Sequence, residues 1–600
     1  MCGILALLAH VKTDETKDLK LLLELIDKRG PDYSSPLIEL ATNCGVWLKL
    51  KSSILHLRGE TLQEQPVTDE DGNVLLFNGQ IYQHAGRPIE RYQSDTTYLS
   101  KELTQCKSPL EVLETFAEID GPFAFIFWHN RFRKLFYGRD LFGRKSLCML
   151  KPHNSHPIIL SSVVDERLEQ PDRKWEEVSC DGLHCIDFSA KEHAMELLFP
   201  WNLKAIYPRT ERCLNPPDIT LGGARLEISL LRPLNCDLAE PCEFDEHTRN
   251  STLELFETKF IEAVRSRYKY NRSDCLICRK EPRYSAVTKK VICRDSKVMV
   301  AFSGGIDSTM IAMALDKVMD IKETIDLVTV SFKDDSPDRE SVGSAFKELR
   351  ALRPSRRWRL ILCDISKIEL QRERDRQIRD LILPCDTVFD DSIGCASWFV
   401  GRANGRAIDS TIDDQWISKH FDQFLKYNPY NTDLDQEINI DYKSPASMIF
   451  VGTSIDEQLG GYSSHRKAWS TNGIVGLYKE VSFLMRRISS RNLGRDDRVY
   501  SHHGRDVKLP FLDSQFVSFL NELPMGLKMN LNEPLEIGPK KILRELALKW
   551  NLNETGHRVK RAMQFGTRIA NLEKAKEKAN DVCLRLRPKY QDPILIDLTD

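Results

Sequence analysis

Short apolar runs that alternate with helical patterns organise the second half of the chain. The runs lie at residues 298–302, 327–332, 360–363 and 448–452. Small polar residues follow the first run at 303–308, and a helix-like spacing of apolar positions then covers residues 309–318. This alternation predicts a parallel, doubly wound α/β sheet, which binds ligands where its strands end.

The turn after the first of these strands is built of residues that suit an anion. Gly304 and Gly305 let the backbone approach a phosphate closely, and the N–H groups that start the next helix point toward it. Ser303 and Ser308 add hydroxyl donors, and Asp307 adds a carboxylate that can hold Mg²⁺. A plain helix cap is the alternative, but two adjacent glycines would be costly for one. The turn therefore predicts a pyrophosphate site, and the lack of a following Lys excludes a Walker A loop.

The chain starts with Met1, Cys2 and Gly3, followed by an apolar run over residues 4–9. Removal of Met1 would leave Cys2 as the first residue. Its thiolate would be a nucleophile, and its α-amino group, with an ordinary pKa of about 7.7–8.0, would be a base near neutral pH. Taken alone, this start fits equally well a buried strand that carries an incidental cysteine.

Composition and charge exclude several classes of function. The 600 residues carry a formal net charge of −2 and have a pI near 6.7, which gives no electrostatic footprint for nucleic acid. No uncharged apolar run approaches the roughly 18 residues of a transmembrane helix. The apolar start is too short for a signal peptide and lacks a basic region before it. We therefore expect a cytoplasmic protein without nucleic-acid or membrane partners.

The 16 cysteines are scattered, which fits reduced thiols better than a disulfide framework. One cluster is suggestive, namely Cys275 and Cys278 with Cys293. A structural zinc site needs a fourth ligand, and none lies at a matching spacing. The pattern therefore favours a cysteine-containing loop over a zinc site.

Composition shifts along the chain predict its division into domains. We expect a first domain over residues 1–195, a linker with a leading helix over 196–294, a second domain over 295–586 and a flexible tail over 587–600. The linker is rich in proline and contains one helical stretch, residues 252–265. Residues 402–445 are polar and acid-rich, so we expect a surface insertion there.

Five motifs occur in order in the first domain. They are residues 29–32 (Arg-Gly-Pro-Asp), Arg58, residues 77–82, Asp95 after Ser94, and residues 138–140 (Gly-Arg-Asp). In this order and spacing they resemble a class II glutamine amidotransferase, an N-terminal-nucleophile hydrolase. The resemblance implies an α+β fold, the αββα sandwich.

The same resemblance implies a role for each matched residue. Cys2 would attack the side-chain amide of glutamine, and the Asn78 side chain with the Gly79 N–H would form the oxyanion hole. Arg58 would clamp the α-carboxylate of glutamine, and Asp95 would hold its ammonium group. Asn-Gly is also the strongest signal for a two-residue hairpin turn, and the two interpretations are compatible.

The second domain carries a resemblance of its own. Residues 303–308 are similar to the signature of the PP-loop ATP pyrophosphatases, which split ATP into AMP and pyrophosphate. Together the two domains resemble glutamine-dependent asparagine synthetase over nearly the whole chain. The match extends to residues 336–338, 456–457, 460–462, 510–513 and 540–545. A branch of asparagine synthetase domain-containing proteins is closer still, at residues 57–59, 386–388, 390–395, 488–498 and 560–566.

This second resemblance implies a ligase that uses ATP and Mg²⁺. Ammonia released from glutamine at Cys2 would pass through the protein interior and displace AMP from β-aspartyl-AMP, which forms from aspartate and ATP. The residues implied at the ATP site are Phe302, Ser303, Gly304, Gly305, Asp307, Ser308, Val330, Gly452 and Lys540. Phe302 and Val330 would flank adenine, and Asp307 with Asp456 would hold Mg²⁺. Lys540 would stabilise phosphate charge, the alternative being an exposed lysine on a helix face.

Three departures from these families are visible. The prolines that usually follow the Gly-Arg-Asp motif fall on Leu141 and Ser146. The catalytic Glu of asparagine synthetases falls on Thr453, which cannot act as a carboxylate at neutral pH. Their substrate-binding Arg falls on Asp390 or Asp391, and an acid there should repel aspartate.

These departures leave three functions open. The first is a glutamine-hydrolysing asparagine synthetase, and the second is a ligase of the same architecture that acts on another carboxylate. The third is a pseudo-synthetase that keeps only glutaminase activity or nucleotide and partner binding. The departures count against the first function and leave the other two open.

The last residues raise a separate hypothesis about partners. Residues 593–600 form a β-prone apolar run with acids and resemble SUMO-interacting motifs, which add a strand to a sheet edge. A tail strand packed on its own domain is the alternative. The sequence also leaves open whether the chain forms a homodimer.

Overall fold

The computed structural model of the protein covers most of the chain. It describes residues 2–9, 19–42, 45–90, 92–151, 157–189, 195–201, 226–235, 244–272, 274–280, 295–429, 438–572 and 577–586. Much of the predicted linker lies outside these residues, as does the 593–600 segment of the SUMO hypothesis.

Two stacked antiparallel sheets form the described core of the first domain. Its strands are β1 (Gly3–Ala9), β2 (Tyr33–Ser34), β3 (Ile38–Ala41), β4 (Trp47–Ile54), β5 (Val67–Thr68), β6 (Val74–Gly79), β7 (Gln83–His84), β8 (Arg87–Pro88), β9 (Ile119–Asp120), β10 (Phe123–His129), β11 (Lys134–Arg139), β12 (Cys148–Leu150), β13 (Ile158–Ser161), β14 (Trp175–Glu177), β15 (Gly182–Asp187) and β16 (Met195–Pro200). One sheet has the order β14-β12-β13-β1-β4-β2, with β3 paired to β4, and the other has the order β16-β15-β11-β10-β6-β5. Strands β7, β8 and β9 form a small separate sheet.

The side chains of β1 point alternately toward the two layers that cover this strand. Ile4, Ala6 and Leu8 pack with Leu76 and Ile126 of the second sheet, while the intervening residues of β1 pack against helix α1 (Lys20–Arg29). A strand covered on both faces needs apolar residues at every position, which is why β1 reads as a continuous apolar run. Helices α2 (Asp95–Thr104) and α3 (Pro109–Ala117) cover the outer face of the second sheet. The layers therefore follow the order helix, sheet, sheet, helix that was expected.

The second domain is built on one mixed sheet. Its strands are β17 (Val298–Ala301), β18 (Ile325–Ser331), β19 (Trp358–Asp364), β20 (Asn404–Asp409), β21 (Asn439–Lys443), β22 (Met448–Phe450) and β23 (Asp506–Lys508), in the order β21-β20-β19-β18-β17-β22-β23. The run from β19 to β23 is parallel throughout, as the alternation of strands and helices predicts. The chain reverses its winding direction between β17 and β22, so the ends of these two strands border the crevice in which such sheets bind ligands.

Helices surround this sheet. They are α4 (Glu246–Lys269), α5 (Leu276–Lys280), α6 (Ile306–Val318), α7 (Pro337–Leu352), α8 (Lys367–Glu373), α9 (Arg379–Ile382), α10 (Val388–Arg402), α11 (Asp414–Phe424), α12 (Ile455–Gln458), α13 (Ser463–Ile488), α14 (Gly494–Ser501), α15 (Ser514–Glu522), α16 (Met525–Lys528), α17 (Lys541–Lys549), α18 (Asn553–Gly556) and α19 (Met563–Gly566). Helix α13 is kinked at Asn472 and Gly473, and π-helical turns occur at Arg374–Ile378 and Ser489–Leu493. Among the described helices, none combines the length and the apolar character needed to cross a bilayer.

The expectation of a surface insertion at residues 402–445 is wrong. The described residues of this segment contain β20, α11 and β21, and the two strands extend the parallel sheet as antiparallel neighbours of β19. Phe421 and Phe424 of α11 are buried in the same apolar core as the strands. The segment is therefore part of the sheet rather than an addition to its surface.

The predicted leading helix exists and is longer than expected. Helix α4 begins after Asp245, whose carboxylate accepts a hydrogen bond from the Thr248 N–H at 2.7 Å. Its apolar face lies on the second domain, where the rings of Phe260 and Phe511 stack with centroids 5.1 Å apart. The helix therefore belongs to the packing of the second domain.

Buried charges join the two domains. Arg29 of α1 forms an ion pair with Asp497 of α14 at 2.7 Å, and both side chains are almost fully buried. The Ser146 N–H donates to the same carboxylate at 3.0 Å, and the Ser146 hydroxyl accepts from Arg498 at 2.9 Å. Ser146 stands where the amidotransferase pattern has proline, which has no N–H to donate. This departure from the family therefore supplies a contact between the domains.

Candidate functional site

The first candidate site surrounds Cys2 at the start of β1. The thiol is free and half-buried, and it lines a cavity of about 50 Å³ together with Gly79 and Asp95. The Cys2 N–H donates to Asn78 Oδ1 at 3.0 Å, and Arg29 Nε donates to the Cys2 carbonyl at 3.3 Å. Burial raises the pKa of the Cys2 thiol, and the nearby Arg29 guanidinium offsets only part of that rise. The thiol therefore needs a base before it can act as a nucleophile at neutral pH.

Asn78, at the end of β6, keeps one donor without an acceptor. The residue is fully buried, and its Nδ2 has no hydrogen-bond partner among the residues that the structure describes. Leaving such a group unpaired costs about 1–3 kcal/mol, so a ligand acceptor is expected there. A Cβ on Gly79 would lie 2.3 Å from the Pro122 carbonyl oxygen, so only glycine fits. Because both residues pair with β10, Asn78-Gly79 is the end of a strand and not a hairpin turn.

Arg58 and Asp95 form a direct ion pair beside this cavity. Arg58 Nη1 donates to Asp95 Oδ1 at 2.9 Å, and Nη2 donates to the Ile89 and Glu90 carbonyls at 2.6 and 3.0 Å. Burial raises the pKa of Asp95 to about 6, although Arg58 opposes the rise. The structure brings together the residues predicted to bind glutamine, but it pairs them with each other. The pair has to share its charges with the ammonium and carboxylate of an incoming glutamine.

The second candidate site is a cavity of about 510 Å³ at the carboxyl edge of the parallel sheet. It adjoins the ends of β17 and β22, where the winding of the sheet reverses. The predicted ATP-site residues on its wall are Phe302, Ser303, Asp307, Ser308, Val330 and Gly452. This volume falls within the range of about 300–1,000 Å³ that is usual for small-molecule sites.

The glycine-rich turn connects β17 to α6, as the sequence predicts. Gly304 has a φ of +68°, and a Cβ there would lie 2.3 Å from the Ser341 backbone. Gly305 is the N-cap of α6, and its N–H donates to Ser303 Oγ at 3.3 Å. The Ser308 hydroxyl donates to the Gly305 carbonyl at 3.2 Å. The N-terminal end of α6 therefore borders the cavity with its partial positive charge.

Two carboxylates and two lysines alternate beside this turn. Lys540 Nζ lies 2.7 Å from Asp307 and 2.7 Å from Asp456, and Lys560 also forms an ion pair with Asp456. Burial alone would raise the pKa of Asp456, but the two lysines hold it well below its ordinary value. Burial and the neighbouring Asp456 raise the pKa of Asp307, while Lys540 opposes the rise. Carboxylate oxygens are the ligands that Mg²⁺ prefers, so the pair fits the metal site predicted for it.

Sequence reasoning missed several residues of this cluster. Lys560 lies on the cavity wall, and the sequence linked it only to a branch of the family. Glu457 also lines the cavity, and burial next to Asp456 raises its pKa to about 6. Gly461 makes room for the cluster, since a Cβ on it would lie 1.9 Å from Asp456 Oδ1. The motifs containing these residues matched the families, but the individual roles depend on contacts that only the fold creates.

The two acids that take the place of the family's substrate-binding Arg lie outside the cavity. Asp390 forms an ion pair with Arg495, and Asp391 with Arg374 at 2.8 Å, and neither carboxylate lines the cavity. The expectation that these acids repel an acidic substrate is therefore wrong. Thr453 does line the cavity, as do Arg487 and Arg491. These two guanidinium groups have no ion-pair partner within the described parts of the chain.

Comparison with known proteins identifies the family. Residues 1–195 match the family described as glutamine amidotransferase domain, and residues 456–592 match asparagine synthase. Asparagine synthetase domain-containing protein 1 of Mus musculus is 34% identical over 98% of this chain and 100% of its own length. The human protein of the same name is 34% identical, with 98% of each chain covered. The chain belongs to the asparagine synthetase domain-containing protein 1 family.

This membership confirms the resemblance that the sequence motifs indicated. The chain is also similar to glutamine-hydrolysing asparagine synthetase of Cricetulus griseus, at 22% identity over 89% of this chain and 79% of that protein. Among solved structures, glutamine phosphoribosylpyrophosphate amidotransferase from B. subtilis covers 56% of this chain and 83% of its own, at 12% identity and a TM-score of 0.25, which is too low to bear on the fold. The two matched domains place the chain among glutamine-dependent amidotransferases and ligases.

Proposed function

We propose that the protein is an ATP-dependent, glutamine-hydrolysing amide ligase. It uses ammonia released at Cys2 to amidate a carboxylate that is activated in the second cavity. The observation that carries this proposal is the alternating cluster of Asp307, Lys540, Asp456 and Lys560 beside the glycine-rich turn. Activation of a carboxylate by ATP requires cations for the phosphates and carboxylates for Mg²⁺, and the cluster offers both.

The first half-reaction hydrolyses glutamine. Removal of Met1 exposes the α-amino group of Cys2, which takes the thiol proton, and the thiolate attacks the side-chain amide carbon. Asn78 Nδ2 donates to the oxyanion that develops. The α-ammonium of Cys2 then returns its proton to the amide nitrogen, and ammonia leaves as the C–N bond breaks. Water then releases glutamate from the thioester. Arg58 and Asp95 hold the α-carboxylate and the ammonium group of the substrate.

The second half-reaction takes ATP as a substrate. The turn at residues 303–308 and the Lys540 ammonium bind its phosphates, while Phe302 and Val330 flank adenine. Asp307 and Asp456 would hold Mg²⁺, which neutralises the pyrophosphate that leaves. Lys560, which pairs with the same Asp456 carboxylate as Lys540, would also neutralise negative charge on the phosphates.

Two acceptors are candidates for the activated carboxylate. Aspartate is the first, and its products would be asparagine, glutamate, AMP and pyrophosphate. Thr453 favours the second, a different carboxylate, because it stands where asparagine synthetases carry a catalytic Glu. Arg487 and Arg491 add two cations to the cavity wall, which favours an acceptor with a further negative group.

Pyrophosphate release by the purified protein tests the proposal. The protein, with loss of Met1 verified by mass spectrometry, is incubated with MgATP and either glutamine or ammonium chloride, with and without aspartate. Release that requires aspartate and yields asparagine identifies the first acceptor. Release with another acid from a panel of carboxylates, but not with aspartate, identifies the second.

Two variants separate the half-reactions. Cys2→Ala should abolish amide formation from glutamine and retain it with ammonium chloride. Asp307→Asn should abolish pyrophosphate release with either nitrogen source and leave glutamine hydrolysis intact. A protein that hydrolyses glutamine but neither binds ATP nor releases pyrophosphate with any carboxylate would be a pseudo-synthetase, and the proposal would be wrong.

A further inference from the structure

Arg272 and the segment of residues 274–280 lie between the two domains and contact both. The Arg272 N–H donates to the Leu57 carbonyl at 2.8 Å, directly before Arg58 of the first candidate site. The Leu276 N–H donates to the Pro445 carbonyl of the second domain at 2.9 Å. A group bound to this segment therefore acts on the junction of the domains.

Two cysteines of this segment lie next to Asp295, which brings three potential metal ligands together. The Sγ atoms of Cys275 and Cys278 and a carboxylate oxygen of Asp295 all lie within 4.8 Å of one another. Both cysteines are buried, with exposures of 0% and 1%, and neither forms a disulfide. Cys293, the third cysteine of the sequence pattern, lies outside the described residues, and Asp295 supplies the third ligand that the pattern did not show.

The local geometry suits a thiolate–metal site. The Cys278 N–H donates to Cys275 Sγ at 3.5 Å, which stabilises negative charge on that sulfur. Cys275 Sγ lies 3.9 Å from Asp295 Oδ2. Bonds of about 2.3 Å to sulfur and about 2.0–2.2 Å to oxygen place two ligands of a tetrahedral zinc ion roughly 3.5–3.8 Å apart, so these atoms need to move little.

We infer that Cys275, Cys278 and Asp295 bind a zinc ion at the domain junction. Two thiolates select zinc over Mg²⁺ or Ca²⁺, which prefer oxygen ligands. The described residues supply three of the four ligands that a tetrahedral zinc ion takes. Arg279 is next to the site and forms an ion pair with Asp32 of the first domain at 3.0 Å. The metal would hold the segment that contacts Asp32 and Leu57 of the first domain and Pro445 of the second. Its role would therefore be structural.

Metal analysis of the full-length protein tests this inference. The protein is expressed with zinc in the medium, passed over a size-exclusion column and measured by plasma mass spectrometry. We expect about one zinc per chain in the wild type, the stoichiometry of a single structural site. Cys275→Ala and Cys278→Ala should lose it, whereas Cys363→Ala, which removes an equally buried cysteine of β19, should retain it.

Cobalt titration of the wild-type protein covers the case in which the cysteine variants do not fold. After removal of bound metal with a chelator, cobalt(II) should produce a thiolate-to-cobalt charge-transfer band in the near ultraviolet, and zinc should abolish it. Asp295→Ala should weaken zinc retention against a competing chelator by more than about tenfold, since even outer-shell changes reach that size. Absence of both zinc and the cobalt band in the wild type, or zinc retained in both cysteine variants, would overturn the inference.

Discussion

Asn78 is the residue on which the glutaminase half of the proposal depends most. Locally, Asn-Gly predicts a turn as well as it predicts an oxyanion hole. The pairing that excludes the turn joins Asn78 to Ala124 on β10, so no pattern near Asn78 in the sequence could exclude it. In the paired strand, Oδ1 of Asn78 accepts a hydrogen bond from the Cys2 N–H. Its Nδ2 then remains available to donate.

Replacement of Asn78 by alanine should therefore lower glutamine hydrolysis without unfolding the domain. We expect kcat to fall by about 10²–10³, the usual cost of one lost oxyanion donor. Glutamate release and a thermal unfolding curve measure the two effects. Asn73→Ala serves as the matched control, because Asn73 is a buried asparagine of the same domain that bonds to Asp69 instead. A loss of less than about tenfold in Asn78→Ala would count against the oxyanion role.

Burial of Lys528, at the end of α16, predicts that the stability of the protein depends on pH. The side chain is 1% exposed, and burial lowers its pKa from 10.5 to about 7, with its Nζ donating to the Leu520 carbonyl at 2.9 Å. Because the folded-state pKa lies below the unfolded one, the folded protein binds fewer protons. The free-energy cost of burying the charged Lys528 ammonium is therefore fully present below about pH 7. This cost disappears as the pH rises toward 10.5.

Replacement of Lys528 by methionine should remove that penalty. We expect the free energy of unfolding to rise by on the order of 2–5 kcal/mol at pH 7, and by much less at pH 10. Urea unfolding at the two pH values measures the difference. Lys419→Met, at an exposed position of α11, should show no such dependence. An equal effect of Lys528→Met at both pH values would show that the lysine is not held in its neutral form.

At the scale of secondary-structure elements, the segment over residues 402–445 shows where composition misleads. Its charges suggested a solvated insertion, yet two of them, Arg406 and Asp409, form ion pairs on the sheet. Arg406 of β20 pairs at 2.8 Å with Asp364 at the end of β19. Asp409 of β20 pairs at 2.7 Å with Arg357, which directly precedes β19. Paired charges can be buried at an acceptable cost, whereas composition counts them as exposed.

Replacement of Gly461 tests whether the loop between α12 and α13 positions the cluster of Asp456 and Lys540. A Cβ there would lie 1.9 Å from Asp456 Oδ1 and 2.9 Å from Lys540 Cε. Gly461→Ala should therefore displace the cluster and lower pyrophosphate release by about 10²-fold, the effect of a shift of about 1 Å in a catalytic group. Glutamine hydrolysis at Cys2 should stay unchanged, because that site lies in the other domain.

The kink of α13 offers a control for that variant. Gly473 has a φ of +58°, and a Cβ added to it would meet no described atom within 4 Å. Because its ψ of −148° lies in a region that is essentially restricted to glycine, Gly473→Ala should cost about 1–3 kcal/mol of stability and leave pyrophosphate release intact. Equal losses of release in both variants would mean that the effect comes from general destabilisation and not from the cluster.

At the scale of the whole molecule, the sequence predicts the parts better than their junction. The parallel core, the glycine-rich turn and the residues around Cys2 all follow from local patterns and motif resemblance. The contacts between the domains do not, because they join residues several hundred positions apart. Ser146 shows this well: the sequence marks it only as a missing proline, and its partner Asp497 becomes visible only in the fold.

Asp497 of the second domain is connected to the first candidate site through Arg29. Its carboxylate accepts from Arg29 Nη2 at 2.7 Å, and Arg29 Nε donates to the Cys2 carbonyl at 3.3 Å. Asp497→Asn removes the charge and keeps the shape, so it leaves the buried Arg29 without its counter-ion. Breaking one side of such a pair costs about 3–5 kcal/mol.

Asp497→Asn should consequently lower both the stability of the protein and its hydrolysis of glutamine, although Asp497 belongs to the synthetase half. Urea unfolding and glutamate release measure the two losses. Asp414→Asn is the matched control, since Asp414 pairs with Arg350 at a position 91% exposed, where water screens the pair. If Asp497→Asn lost stability but kept full glutaminase activity, Arg29 would hold the domains together without positioning Cys2. If it lost neither, the buried pair would not couple the domains at all.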